Sequence, residues 1–203
     1  MKPMLAVAAI GAILAGCASE PNVYYTLTVP VKHASVPAAP NPAPGPYTLA
    51  PVTVPAQVDD NLLVVRRNHD ELMKLAHDRW SAPLGKQIGN ALSVQLTQLL
   101  GAAPLSRAQT ADQSARVTTV TVDVQRFDMV PAQFALLAAT WQVNPPASSK
   151  VPQRLTCYTE VSQSVAPGVA PLVQAQQQNI ELLAQAISQA WHTGQVGAQT
   201  RCQ

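Results

Sequence analysis

The chain has 203 residues, 12% of them charged and 47% apolar, with 13 Lys and Arg against 11 Asp and Glu. That length holds one domain or a domain with an appendage. A near-neutral charge without basic runs excludes the clustered cations that nucleic-acid phosphates require, and three cysteines with four scattered histidines argue against a multi-ligand metal site.

Lys2 and the uninterrupted run of apolar or small residues at 4–14 form a positive head and a hydrophobic stretch of 11 residues. A membrane-spanning helix needs about 20, so residues 1–16 are expected to be a removable signal peptide and not a permanent span. The run ends in Leu14-Ala15-Gly16-Cys17, which resembles the lipobox of bacterial lipoproteins. That resemblance makes Cys17 the lipid attachment site: its thiol receives a diacylglycerol, cleavage precedes it, and the new amino group is acylated, palmitate being the expected chain. Only a thiolate serves as the nucleophile toward the lipid donor, and the small Ala15 and Gly16 admit the peptidase. Ala18 follows the cysteine. Where an aspartate there would mark retention at the inner membrane, its absence points by the same resemblance to the outer membrane, with the domain on the periplasmic face.

Residues 17–22 then read as a short lipidated tether, and 23–203 as a single periplasmic domain. The β-branched and aromatic stretch 23–28 has the composition of a strand. Only five residues separate it from Cys17, a reach of at most about 17 Å. Six prolines fall at 30–46. Such a segment favours polyproline II and is expected to be an exposed loop within the domain. Residues 47–54 read as a strand broken by Pro51, and 62–67 as another. Asn68-His69-Asp70 has turn chemistry. The stretch 71–77 fits a helical period and strand alternation equally, so periodicity leaves it open.

Pro83 opens a helix whose apolar stripe is Leu84, Ile88, Ala91, Leu92, Leu96 and Leu99, stopped by Gly101. Residues 116–127 alternate, with Val120, Val122 and Val124 on one side and Thr119, Thr121, Asp123 and Gln125 on the other. Two further strands at 133–143 and 154–165 complete an antiparallel meander with one wet face. A last helix covers roughly 171–191, with Ile180, Leu183, Ile187 and Trp191 as its stripe. The expected fold class is α+β, a mainly antiparallel or mixed sheet with two amphipathic helices packed on one face.

The order of these motifs is similar to that of the ABC-type transport auxiliary lipoproteins. The residues that carry the resemblance are the lipobox, Tyr24-Tyr25-Thr26-Leu27, Pro51-Val52-Thr53-Val54-Pro55, Leu63-Val64-Val65-Arg66, and Asp78-Arg79-Trp80-Ser81-Ala82-Pro83-Leu84 ahead of the helix. The chain departs from the family in its long Pro-rich insert and in Cys202. The resemblance implies a non-enzymatic accessory without cofactor. It would be an outer-membrane anchor and docking component for a transporter built around a mammalian-cell-entry (MCE) domain tube, which moves lipids between two membranes. It also implies a homo-oligomeric ring. The alternative is a periplasmic lipid-binding carrier, which needs an apolar cavity of some hundreds of cubic ångströms.

A hydrolase is the third class. His69-Asp70 and His77-Asp78 offer imidazole–carboxylate neighbours, but adjacent strand residues point to opposite faces, and no G-x-S-x-G elbow or Gly-rich phosphate loop occurs. No catalytic residue is expected. Trp80 and Trp191 are expected as core or interface anchors, and Arg66-Arg67 as a solvated strand end. With Cys17 acylated, Cys157 and Cys202 form an even pair, and an oxidising compartment favours a candidate disulfide between them. A buried, inert Cys157 with Cys202 free or paired between subunits is the competing arrangement.

Overall fold

The computed structural model describes residues 20–28, 43, 45–106, 109, 116–146 and 154–203. The signal segment 1–16, Cys17 with the start of its tether, and nearly all of the stretch 30–46 lie outside the described residues. In chain order the elements are β1 (Val23–Tyr25), β2 (Tyr47–Leu49), β3 (Leu62–Arg66), β4 (Leu72–Trp80), α1 (Leu84–Leu100), β5 (Thr118–Val130), β6 (Phe134–Asn144), β7 (Leu155–Ser164), α2 (Val169–Thr193) and β8 (Thr200–Cys202). The fold is α+β. Its strands divide between two mixed sheets where one was expected: β1-β4-β3, and β2-β5-β6-β7-β8. In each, the outermost N-terminal strand pairs parallel, β1 on β4 and β2 on β5, while the remaining pairs are antiparallel. The helix α2 packs over β6 and β7, and α1 packs on α2.

Valine alternation builds β5. Val120, Val122 and Val124 are buried, and Asp123 and Gln125 are exposed. The alternation then breaks at a register shift between Val124 and Arg126. An extra residue in one strand turns later side chains to the other face, so burial passes to Phe127 and Met129. The open stretch 71–77 is a strand: β4 returns against β3, and Asn68 Oδ1 closes the turn by accepting the N–H groups of Asp70 and Glu71. The expected strand at 23–28 is shorter, ending at Tyr25, and Leu27 beyond it drops into the core at 1% exposure.

Pro83 fixes φ at −49° and delivers the chain into α1. The expected stripe is buried, except that Leu99 is half-buried and Leu100 closes the apolar face instead. Gly101 takes φ 69°, a left-handed conformation that costs glycine little, and its N–H satisfies Thr97 O. In α2 the stripe Ile180, Leu183 and Ile187 is buried. Trp191 packs edge-to-face on Tyr47, with ring centroids 5.4 Å apart, a geometry aromatic quadrupoles favour. Tyr47 donates its hydroxyl to Ala102 O, and burial pushes its pKa up to about 12.

Residues 51–54 cross over α1 at two glycines. A Cβ on Gly85 would stand 2.8 Å from the backbone oxygen of Val52, whereas one on Gly89 would meet Val52 Cγ2 at an ordinary 3.6 Å. Intrinsic helix propensity favours alanine over glycine at both positions by up to about 1 kcal/mol. Gly89→Ala should therefore raise the urea midpoint. Gly85→Ala should lower it, because overpacking against backbone costs about 1–3 kcal/mol. Equal shifts for the two variants would mean that the crossing is looser than this contact requires.

Candidate docking and membrane-proximal surfaces

The described chain begins at Glu20, beside the small sheet. Glu20 Oε2 lies 3.8 Å from His77 Nε2, Asn22 Oδ1 accepts from Arg79 Nε at 3.1 Å, and Ser81 N–H donates to Tyr25 O. These contacts, with the parallel pairing of β1 on β4, hold the first residues against the middle and end of β4. Desolvation, then the neighbouring Asp78 carboxylate, raises the Tyr25 hydroxyl pKa above its usual value. Val23 and Tyr24 remain 46% and 65% exposed, and Leu72 and Met73 at the start of β4 are 36% and 38% exposed. Asp60 is held below the usual carboxylate range by the Leu62 N–H and then by Lys74, whose Nζ is 2.6 Å away. Cys17 lies outside the described residues. Three peptide steps join it to Glu20, a reach of at most about 11 Å.

A second surface is an open groove of about 640 Å³ between residues 49–54 and α1. Pro51, Val52 and Val54 line it from one side, and Gly85, Gly89 and the exposed Lys86 from the helix. The segment makes few donations toward β5. Pro51 and Pro55 have no N–H, and Thr53 spends its N–H on Val122 O, a pattern that blunts strand-to-strand pairing. The Gly-x-x-x-Gly spacing in the helix was a readable signal of this close approach.

The pair Arg66-Arg67 divides. Arg66 reaches Asp128 Oδ1 through Nε and NH2 at 3.3 and 3.0 Å, and Arg126 holds Oδ2 through Nε and NH2 at 3.1 and 2.8 Å. This clamp joins β3 to β5 and borders a cavity of about 360 Å³ with His69 and Phe134. Its carboxylate was not anticipated, although the Arg126/Asp128 spacing of two on one strand face hinted at it. Arg67 instead makes an exposed pair with Glu71 at 3.4 Å.

His69 and Asp70 are 98% and 92% exposed and 3.9 Å apart, too far for a hydrogen bond. Trp80 is buried and meets Phe127 edge-to-face. Gln87 is a buried polar residue that the helical pattern does not single out. Its Oε1 accepts from Thr26 Oγ1 and Leu27 N–H, and its Nε2 donates to Ser81 Oγ, fastening the N-terminal segment to α1. The structure places Cys157 and Cys202 opposite each other across β7 and β8 and joins them as a disulfide spanning 45 residues. Cys157 is 1% exposed, and Cys202 is exposed. Beside them Trp141 Nε1 donates to Thr159 Oγ1 at 2.8 Å, and Thr159 shares a hydrogen bond with Thr200.

The architecture is thus a two-helix, two-sheet α+β domain with a free sheet edge and a groove at its surface. The chain belongs to the family described as the ABC-type transport auxiliary lipoprotein component, whose model matches residues 25–188. Two solved structures share the fold. A crystal structure titled only as an uncharacterized protein is 18% identical, with TM-score 0.66, covering 84% of this chain and 98% of its own. A Xanthomonas campestris protein of the DUF330 family is 17% identical, with TM-score 0.63, covering 85% of this chain and 96% of its own. No curated protein matches the sequence.

Proposed function

We propose that this protein is an outer-membrane-anchored periplasmic lipoprotein, non-catalytic, which serves as the docking auxiliary of an MCE-type, ABC-like system for moving lipids between two membranes. The family match over residues 25–188 carries the reading. The short tether supports it, because β1 begins within six residues of the lipobox cysteine and a docking surface is thereby held close to its bilayer. Assembly as a closed homo-oligomeric ring fits a collar at the end of a periplasmic tube, since heterologous contacts between identical subunits close into rings.

Two measurements test this. Cys17→Ala should leave the protein uncleaved or mislocalised, absent from outer-membrane fractions, because every acyl chain of the proposed anchor is carried on that residue. Chemical crosslinking of the wild-type protein in cells should recover an MCE-domain protein and higher oligomers of the chain. Retention of Cys17→Ala in washed outer membranes would refute the anchor. Crosslinks to monomer alone would refute the collar.

The groove over α1 supports a lipid-binding carrier as the second reading, since about 640 Å³ falls within the size of small-ligand sites. Its open form and charged rim suit docking better, and a lipid-tethered domain cannot shuttle. Mass spectrometry of lipids co-purified in stoichiometric amount with the protein would favour the carrier.

A further inference from the structure

We infer that the β1 edge of the small sheet is a second membrane contact, in which Val23 and Tyr24 of β1 and Leu72 and Met73 of β4, alternating between the two faces along that edge, rest in the headgroup region of the bilayer that holds Cys17. The inference deepens the proposed function and rests on its lipid anchor. Its occupant is fixed by the length of chain beyond the described residues. Acyl chains on Cys17 enter the hydrocarbon, so Glu20 stands no more than about 11 Å from a residue at the membrane surface. The Glu20 carboxylate itself lies 3.8 Å from His77 Nε2. The sheet edge formed by β1 and the start of β4 is thus the part of the domain that the bilayer meets.

A second observation points to the same edge independently. The large apolar side chains that stand most exposed among the described residues are Val23, Tyr24, Leu72 and Met73, and all four belong to these two strands. Met73 is four strand residues from His77, about 13 Å along β4, so the patch extends from the tether to the hairpin. Tyrosine has an apolar ring and a polar tip, the side chain that membrane interfaces favour. Arg79, paired in register with Tyr24, lies where a cation can meet lipid phosphates.

The test uses the full chain, processed in a bacterial host and reconstituted into vesicles of phosphatidylethanolamine and phosphatidylglycerol carrying brominated acyl chains. Tyr24→Trp and Met73→Trp place reporters on the patch, and Gln189→Trp places one on the exposed side of α2. Emission from the native tryptophans is subtracted using the unsubstituted protein. The added emission at positions 24 and 73 should be blue-shifted and mostly lost to bromine quenching, while that at position 189 should keep its intensity. If either patch reporter stayed at the level of position 189, the contact would be overturned with the anchor intact. The mass of the N-terminal peptide and flotation of the unsubstituted protein read the anchor separately. An unacylated Cys17 would overturn both.

Discussion

Cys202→Ser should lower the unfolding free energy by about 4 kcal/mol. The bridge from Cys157 closes a loop of 45 residues, and in the chain-entropy model a loop of that size restricts the unfolded chain by about that amount. It would be a large part of the roughly 5–15 kcal/mol that stabilises an ordinary domain. Serine at position 202 is the better probe because Cys202 is exposed, whereas a hydroxyl at position 157 would be buried. Without the bridge, β8 is held by its short ladder to β7, the Thr159–Thr200 hydrogen bond and backbone bonds at its two flanks. Urea unfolding should show a lower midpoint and a steeper slope, since an unbridged chain exposes more surface when it unfolds. A midpoint unchanged by the substitution, and by reducing agent on the wild type, would deny the bridge any role in stability.

Trp141→Ala should be comparably damaging. The indole is fully buried on the central strand of the five-stranded sheet, beside the Cys157 register position. Removing it leaves a cavity costing about 3–5 kcal/mol. Thr159 would also lose its indole N–H partner. Trp141→Phe retains most of the volume and removes the donor, so it should cost less, with about 1 kcal/mol for the lost hydrogen bond. Guanidinium titrations of both variants would separate the two terms. If the alanine variant were as stable as the phenylalanine one, the packing account of this position would fail.

What the sequence reveals depends on the range of the interaction. Local periodicity located both helices and the meander, because burying one face imposes a period that is written in neighbouring residues. The stripe from Leu84 to Leu96 and the alternation from Val120 to Val124 are of this kind. The bulge after Val124 has no local signature, since Gln125 and Arg126 look like ordinary outward residues, and only pairing with β6 reveals the change of parity. The ambiguity at 71–77 was settled by β3, a partner outside the window. Buried Gln176 was unreadable for another reason. Its Nε2 serves the carbonyls of Asp128 and Leu136 at 3.0 and 3.1 Å, backbone groups that carry no sequence identity. The proposed lipobox at 14–17 is contiguous, so sequence alone can suggest it. The groove and the Arg66–Asp128–Arg126 clamp are assembled from distant segments, and their parts mean little separately.

The two parallel pairings have a kinetic consequence. Val23 meets Asp78 and Tyr47 meets Thr118, separations of 55 and 71 residues, whereas β5 and β6 are joined by a turn of three. Closing long loops before their contacts form slows folding, so the meander and α2, which follows it directly, should be in place before β1 arrives. Alanine at Tyr25 should then accelerate unfolding and leave the refolding rate nearly unchanged, while alanine at Leu137 should slow refolding. Stopped-flow refolding of the two variants checks this, and a slowed refolding rate for Tyr25→Ala would reverse the order. With β1 docking last, the segment from Glu20 to Tyr25 stays accessible while the body of the domain takes shape. An anchor installed at Cys17, as proposed, would then precede the locking of the strand beside it.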